Sequence, residues 1–467
     1  MATELPIVLD RSSSVPLTVQ LAQTLRTAIL DGTIKRDEAL PATRALARTL
    51  GISRGTVVTA YDQLLGEGYL LAHPRRGTLV SLEFPAAAGD RRPSAALPAG
   101  PAPGEAAEPW ADLVPGHPSP RGLADAAWKA AWRRAVNESD RAWLPPAAGT
   151  AELRRAIAGH LRRARGLACQ PSDVIVTAGT SEALLLLAIG LKPEGRALRI
   201  AVEDPGYPTA RRVLQAAGVD IQGVGATMDG MDPGRLQALD PLPDAVLATP
   251  SHQYPLGGRM SVQERADLLA WAAGHGVIVI EDDYDSEFRH ARMPLPAMAS
   301  LDAAGVTVLV GTFSKVLTPW LRCGYLVAFG VLGGRLRRAR AALDTPVSGI
   351  QQQALAYFID SGGLARHIAR TRREYAHRRQ LVLAKLGQLP GVTLGGLDGG
   401  LHVIVQFAQP AGPLIAALAE RGIRVASLAD YSADGAALNG LVIGYGAPSD
   451  LTLSSALSVI ASLLDGG

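Results

Sequence analysis

The chain has 467 residues, of which 48% are hydrophobic and 19% charged, and its formal net charge is +3. That length exceeds one ordinary core, so two or three domains are expected. Charge alone gives no case for nucleic acid, because residues 1–80 hold nine basic side chains against seven acidic ones. Two cysteines, Cys169 and Cys323, cannot build a disulfide framework, so a reducing cytoplasm is the expected compartment. The N-terminus lacks the basic-then-apolar layout of a signal peptide. The longest apolar stretch, around Ala183 to Leu191, falls short of the roughly 18–20 residues that cross a bilayer, so no membrane partner is expected.

Leu17, Leu21, Leu25, Ala28 and Ile29 recur at helical spacing, and Gly32 ends that helix. Next comes "LPATRALARTLGISRGTVVTAYDQLLGEGYL", Leu40 to Leu70. Thr43 to Leu50 reads as a short helix, and Gly51 supplies a turn of positive φ. Ser53 can cap the following helix, which buries Val57 or Val58, Tyr61, Leu64 and Leu65. Ser53, Arg54, Gly55 and Thr56 then stand at its N-terminal tip, the part that a recognition helix presents to the major groove. "GYLLAHPRRGTLV", Gly68 to Val80, reads as two short strands around a basic turn: a wing whose Arg75 and Arg76 meet phosphates or the minor groove.

This segment resembles the winged-helix domain of the GntR family over about residues 10–82. The resemblance implies contacts to double-stranded promoter DNA from Arg44, Ser53, Arg54, Thr56, Arg76 and Gly77. Arg44 also reads as a helix-start residue paired with a carboxylate, and Arg75 equally as a solvated charge. We set this domain at residues 1–82. "FPAAAGDRRPSAALPAGPAPGEAAEP", Phe84 to Pro109, has no helical or strand period and reads as a linker over 83–109. At about 3.1 Å per residue such a chain reaches on the order of 80 Å, which lets the first domain sit on a neighbouring subunit.

Residues 110–467 form the remaining domain. Apolar β-branched runs recur at "DVIVTAG", "ALRIAVE", "DAVLATP", "GVIVIEDDYD" and "GVTVLVGTFSK", several of them separated by helical stretches. That alternation predicts an α/β fold with a mostly parallel sheet covered on both faces. Ligands of such sheets gather at the carboxyl ends of strands. There, Gly179, Thr180 and Ser181 open a helix whose free N–H groups can hold a phosphate, although an ordinary capped helix starts the same way. Asp282 and Tyr284 share one face at the end of "IVIEDDYD". A carboxylate there can pair with a protonated ring nitrogen and a phenol with a ring oxygen. A structural acidic turn or a metal site would look similar, but the lack of nearby His or Cys disfavours a metal.

"GTFSKVLTPWLRCGY", Gly311 to Tyr325, follows the next strand. A desolvated Lys315 can form a Schiff base with an aldehyde, and Thr312, Ser314 and Arg322 can hold a phosphate beside it. Aldehyde, phosphate and ring nitrogen are the three handles of pyridoxal 5'-phosphate. Over about residues 110–465 the chain resembles fold-type I aminotransferases. "TPSHQYPLG", "IEDDYDSEFR" and "GTFSKVLTPWLRCGY" resemble the subgroup fused to GntR heads, the MocR/GabR-type transcriptional regulators. The resemblance implies that Lys315 bonds the cofactor, Asp282 pairs with its ring nitrogen and Tyr284 with its ring oxygen. It places Gly179, Thr180, Ser181, Ser314 and Arg322 around the phosphate and Tyr207 over the ring face, where a core tyrosine is the plainer reading. His252 falls where a ring-oxygen contact is usual; a loop-bracing role fits as well.

Two positions depart from the pattern. Trp143 stands where the aminotransferases have a tyrosine that reaches the partner subunit's cofactor phosphate. Asn439 and Gly440 stand near the last strand, where an arginine grips a substrate carboxylate; Arg424 is the nearby substitute. The resemblance implies a head-to-tail, domain-swapped homodimer. It also implies a transcriptional regulator that senses pyridoxal phosphate, alone or with an amine or amino acid, and controls vitamin B6 or amine and amino-acid metabolism. A working aminotransferase is the alternative, and a cofactor-binding scaffold without a DNA role is a third reading.

Overall fold

A computed structural model describes residues 7–81, 108–120, 125–138, 144–227, 230–290, 296–344, 346–433 and 438–465. The chain divides into two compact units, Met1–Ala106 and Ala107–Gly467. The expected linker lies almost wholly outside the described residues, as does Trp143.

In the first unit, α1 (Leu17–Leu30) turns Leu21, Ala22, Leu25 and Ile29 inward, and it ends at Asp31, one residue before Gly32. Helix α2 (Thr43–Leu50) stops because Gly51 takes a left-handed conformation, φ 62°. Helix α3 (Arg54–Gly66) starts where the Ser53 hydroxyl accepts the Thr56 N–H at 3.1 Å. It buries Val57, Ala60, Tyr61 and Leu64. Val58 and Leu65 are half-buried, which resolves the Val57/Val58 alternative in favour of Val57. Strands β1 (Leu70–His73) and β2 (Gly77–Val80) pair antiparallel from Leu70↔Val80 to His73↔Gly77. Three helices and a two-stranded wing close one apolar core.

The second unit carries strands β3 (Ala111–Asp112), β4 (Val174–Thr177), β5 (Arg199–Asp204), β6 (Asp220–Thr227), β7 (Gly230–Met231), β8 (Ala245–Ala248), β9 (Ile278–Asp283), β10 (Thr307–Thr312) and β11 (Gly324–Ala328). Strands β12 (Thr393–Gly395), β13 (His402–Gln406), β14 (Ile423–Arg424), β15 (Ala426–Ser427) and β16 (Leu441–Gly444) follow. An eight-stranded sheet runs in the order β4-β11-β10-β9-β8-β5-β6-β7. Its centre, β10 through β6, is parallel, and β11 is antiparallel to both neighbours. Both faces are covered, so alternate residues serve different cores. Ile280, Val308 and Val310 pack with helices Thr180–Leu191 and Gly330–Leu343, while Val279 packs with helix Val262–His275 on the opposite face. A four-stranded antiparallel sheet, β12-β13-β16-β15, forms the smaller C-terminal part, and β3 pairs with β14.

Candidate functional site

Strands β9 and β10 lie side by side with Val310 opposite Asp282, so their carboxyl ends release the Asp282–Asp285 and Thr312–Lys315 segments together. Strand β11 returns antiparallel and pairs with β4, with Gly324 opposite both Thr312 and Thr177. A Cβ on Gly324 would come within 3.1 Å of the Gly179 Cα, so a glycine there permits the close approach. The sheet thereby gathers three loops around a cavity of about 200 Å³. All the expected cofactor residues line it except Gly179 and His252, which stand directly behind lining residues.

Lys315 Nζ donates to the Gly116 carbonyl at 2.8 Å. Burial lowers the amine's pKa, and the Asp285 and Asp282 carboxylates oppose that shift. Gly116 has φ 94°, a conformation that favours glycine, and a Cβ on it would stand 2.6 Å from Nζ and displace the lysine tip. Asp282 is buried, and its Oδ1 has no hydrogen-bond partner among the described residues. Burial, then Asp283 and Glu203, push its pKa up to about 7. Helix Thr180–Leu191 starts at Gly179 (φ 85°) without a side-chain cap, which leaves its first N–H groups directed at the cavity end. The Arg322 guanidinium lies 3.6 Å from where a Gly179 Cβ would be. Arg322 itself is left-handed, φ 41°, a strained conformation for a non-glycine residue at this site. The Thr312 hydroxyl accepts the Ser314 N–H at 3.1 Å. Tyr207 meets Tyr254 edge to face, with centroids 5.9 Å apart.

His252 is buried and braces this site from behind: Nδ1 lies 2.8 Å from Asp285 Oδ2 and 2.9 Å from the Tyr284 hydroxyl. His402 completes a cluster whose ligand atoms lie within 4.8 Å of one another. Nε2 of His402 is 2.8 Å from the Pro255 carbonyl, and Nδ1 of His252 already meets Asp285 and Tyr284, so the cluster reads as a hydrogen-bonded core.

The residues expected near a carboxylate grip serve the fold instead. Asn439 holds the start of helix Ala411–Glu420, accepting the Ala411 N–H and donating to Phe407 and Gln409 carbonyls. Gly440 lies against the Val405 carbonyl, and Arg424 is exposed and paired with Asp112. None of the three lines the cavity. Sequence reading missed Gly116, His117, Thr249, Tyr254 and Pro319, which do line it. Tyr254 lies within "TPSHQYPLG"; Gly116 carries no local signal, because its partner Lys315 is 199 residues away.

In the first unit, Arg44, Ser53, Arg54, Arg75, Arg76 and Gly77 are exposed, and Thr56 is half-buried. Ser53 Oγ is engaged by the Thr56 N–H and lies 2.8 Å from the Thr56 hydroxyl, so both short side chains order the helix tip. Arg44 forms no ion pair among the described residues. Arg76 donates to the Asp37 carbonyl at 3.0 Å, and the Arg75 and Arg76 N–H groups both point at His73 Nδ1. Arg11, not anticipated, donates to the Gly51 carbonyl at 2.6 Å and ties the N-terminal arm to the helix-turn-helix turn.

Residues 117–435 match the family "Aminotransferase class I and II", and residues 17–80 match "Bacterial regulatory proteins, gntR family". Over its full length the chain is 39% identical to the HTH-type pyridoxine biosynthesis transcriptional regulator PdxR of Corynebacterium glutamicum, covering 100% of both chains. It is 34% identical to the probable rhizopine catabolism regulatory protein MocR of Rhizobium meliloti, covering 98% of this chain and 95% of that one. The chain belongs to the MocR-type regulators of the GntR family. An archaeal alanine:glyoxylate aminotransferase shares the fold of the second unit, with a TM-score of 0.71 at 23% identity over 76% of this chain and 91% of that one. This regulator is therefore a transcription factor built on an aminotransferase fold, with a winged-helix domain that binds DNA. Among the described residues, no helix of the regulator is long and apolar enough to cross a membrane.

Proposed function

We propose that the cavity holds pyridoxal 5'-phosphate and that its occupancy sets how the winged helix engages promoter DNA. The observation that carries this reading is a buried acid, Asp282, with an unpartnered oxygen in the same cavity as a desolvated lysine. Such an acid is costly unless a cationic partner reaches it, and a protonated ring nitrogen is such a partner. When bound, the cofactor supplies an aldehyde that the Lys315 amine can attack. Leaving Gly116, Lys315 would offer a neutral nitrogen, which its lowered pKa favours. Gly179, Thr180, Ser181, Thr312, Ser314 and Arg322 would hold the phosphate, Tyr207 would cover the ring, and Tyr284, backed by His252, would face the ring oxygen.

The charged lining groups narrow the effector. Lys315 and Arg322 are its cations, and both are committed in this reading; burial lowers the pKa of His117, which disfavours its cationic form. Among the described residues no further cation lines the cavity to meet a carboxylate, which favours the vitamer alone, or an amine, over an amino acid. The pyridoxine-biosynthesis regulator among the relatives supports vitamin B6 genes as the target, ahead of amine or amino-acid metabolism. Arg44, Ser53, Arg54, Thr56, Arg76 and Gly77 would contact the operator. We further propose a cytoplasmic, head-to-tail homodimer whose two heads are respaced by the ligand, an effect that requires different ligand affinities in the two states.

The test is a promoter-binding titration with and without pyridoxal phosphate, followed by a panel of amines. A footprint or affinity that changes with the vitamer is expected; an unchanged one removes the sensor reading. Lys315→Ala should abolish visible absorbance of the vitamer-loaded protein while leaving its circular dichroism intact.

A further inference from the structure

Tyr284 lines the cavity, and its hydroxyl sits 2.9 Å from Nδ1 of His252. The same nitrogen lies 2.8 Å from Asp285 Oδ2, while Nε2 of His252 is buried with no partner among the described residues. A neutral imidazole carries one N–H, so its place is decided by what each nitrogen faces. With the proton on Nε2, a buried donor would go unsatisfied and the bare Nδ1 would face a carboxylate, lone pair against lone pair. With the proton on Nδ1, His252 donates to Asp285, and only an acceptor site goes unused, which costs less.

We propose, on the reading of the cavity as a cofactor site, that Asp285 and His252 are a positioning pair that fixes the direction in which Tyr284 donates. Because Nδ1 is a donor, it cannot accept the phenolic proton. That proton takes its other in-plane position and points into the cavity, where a ring oxygen would receive it. The arrangement is held in place: a Cβ on Gly400 would come within 2.5 Å of both Asp285 Oδ2 and the His252 ring, so the glycine backbone closes the pair from above. His402 stands 5.3 Å from the His252 ring and Tyr254 5.5 Å from the Tyr284 ring; Asp282 and Glu203 are the other acids that act on the phenol, and Lys315 lines the same cavity. His402 is held neutral by burial, with its pKa down at about 4, and so supplies no competing cation.

The first measurement needs no cofactor. Imidazole ¹⁵N NMR of the cofactor-free full chain, with His252 assigned by its loss in His252→Gln, should show His252 protonated on Nδ1; protonation on Nε2 overturns the proposal. The second reads the pH midpoint of the visible band after loading with pyridoxal phosphate. A donor to the ring oxygen stabilises the deprotonated form of the lysine adduct. Asp285→Asn should therefore free the tautomer, lose that donor and move the midpoint up by about one pH unit. Simple loss of an anion near Lys315 would move it down instead. In a Tyr284→Phe background, Asp285→Asn should produce no further upward shift; an equal shift there also overturns the proposal. Failure to develop any visible band would count against the cofactor reading, while the tautomer result would stand by itself.

Discussion

The two units hold their working side chains in opposite environments. In the winged helix the expected contacts, Arg54 foremost, are exposed except for the half-buried Thr56, and none is buried in the core. In the aminotransferase-like unit Asp282, His252 and Asp285 are buried, and each is coupled to its neighbours. An exposed cation costs the fold almost nothing and takes its meaning from a partner. A buried acid is costly until something pairs with it, so its role is already visible in the unliganded protein as a perturbed pKa.

The largest expected effect is therefore on the buried side. The Asp282 pKa is raised from 3.8 to about 7. Between those values the native state holds a proton that the unfolded state has released. Its stabilising contribution is complete below about pH 4, falls as pH rises and is gone above about pH 7, a change of at most about 4 kcal/mol. Glu203, also raised to about 7, adds a loss of the same sign in the same window. In the cofactor-free protein, Asp282→Asn should flatten this decline in part, so that the variant gains stability relative to wild type as pH rises from about 4 to 7. Saturation with pyridoxal phosphate should flatten it in wild type, because the ionised carboxylate then has a partner. Denaturant unfolding at each pH gives both curves; parallel curves for the two proteins would show that Asp282 is not the titrating group.

Arg54→Ala should invert that pattern. We expect promoter affinity to fall by about 10- to 100-fold, in line with 1–3 kcal/mol for a good base contact, with no change in melting temperature. Fluorescence anisotropy at fixed salt measures the first and calorimetry the second. A variant that binds promoter like wild type would separate this helix tip from DNA recognition.

The same contrast governs what could be read from the sequence. The helix-turn-helix was legible because its signals are local: Gly51 ends one helix and Ser53 starts the next. The parallel sheet was legible because buried strands are continuous β-branched runs, and their carboxyl ends marked Asp282 and Lys315. What escaped was contact between segments distant in the chain. Gly116 meets Lys315 across 199 residues, and the Asp285–His252–Tyr284 arrangement joins two loops whose sequences say nothing about which nitrogen carries a proton. Asn439, Gly440 and Arg424 lie close in sequence to the last strand, but the fold uses them for a helix start, a backbone contact and a surface ion pair.

Arg424 offers the smallest effect and the sharpest division of the two explanations, because it is an exposed cation in the unit of buried sites. If membership of the second unit decided function, its loss should disturb the cavity, since Asp112 and Arg424 both act on the lining residue His117. If environment decides, an exposed arginine without an outside partner should matter little. The Arg424–Asp112 pair is largely solvated, and such pairs contribute about 0–1 kcal/mol. We expect Arg424→Ala to leave pyridoxal phosphate affinity within about twofold of wild type and to lower stability by no more than that amount. A tenfold loss of affinity for an amino acid, with vitamer binding unchanged, would return Arg424 to the role of a carboxylate grip and would require the β3–β14 pair to move toward the cavity when the effector binds.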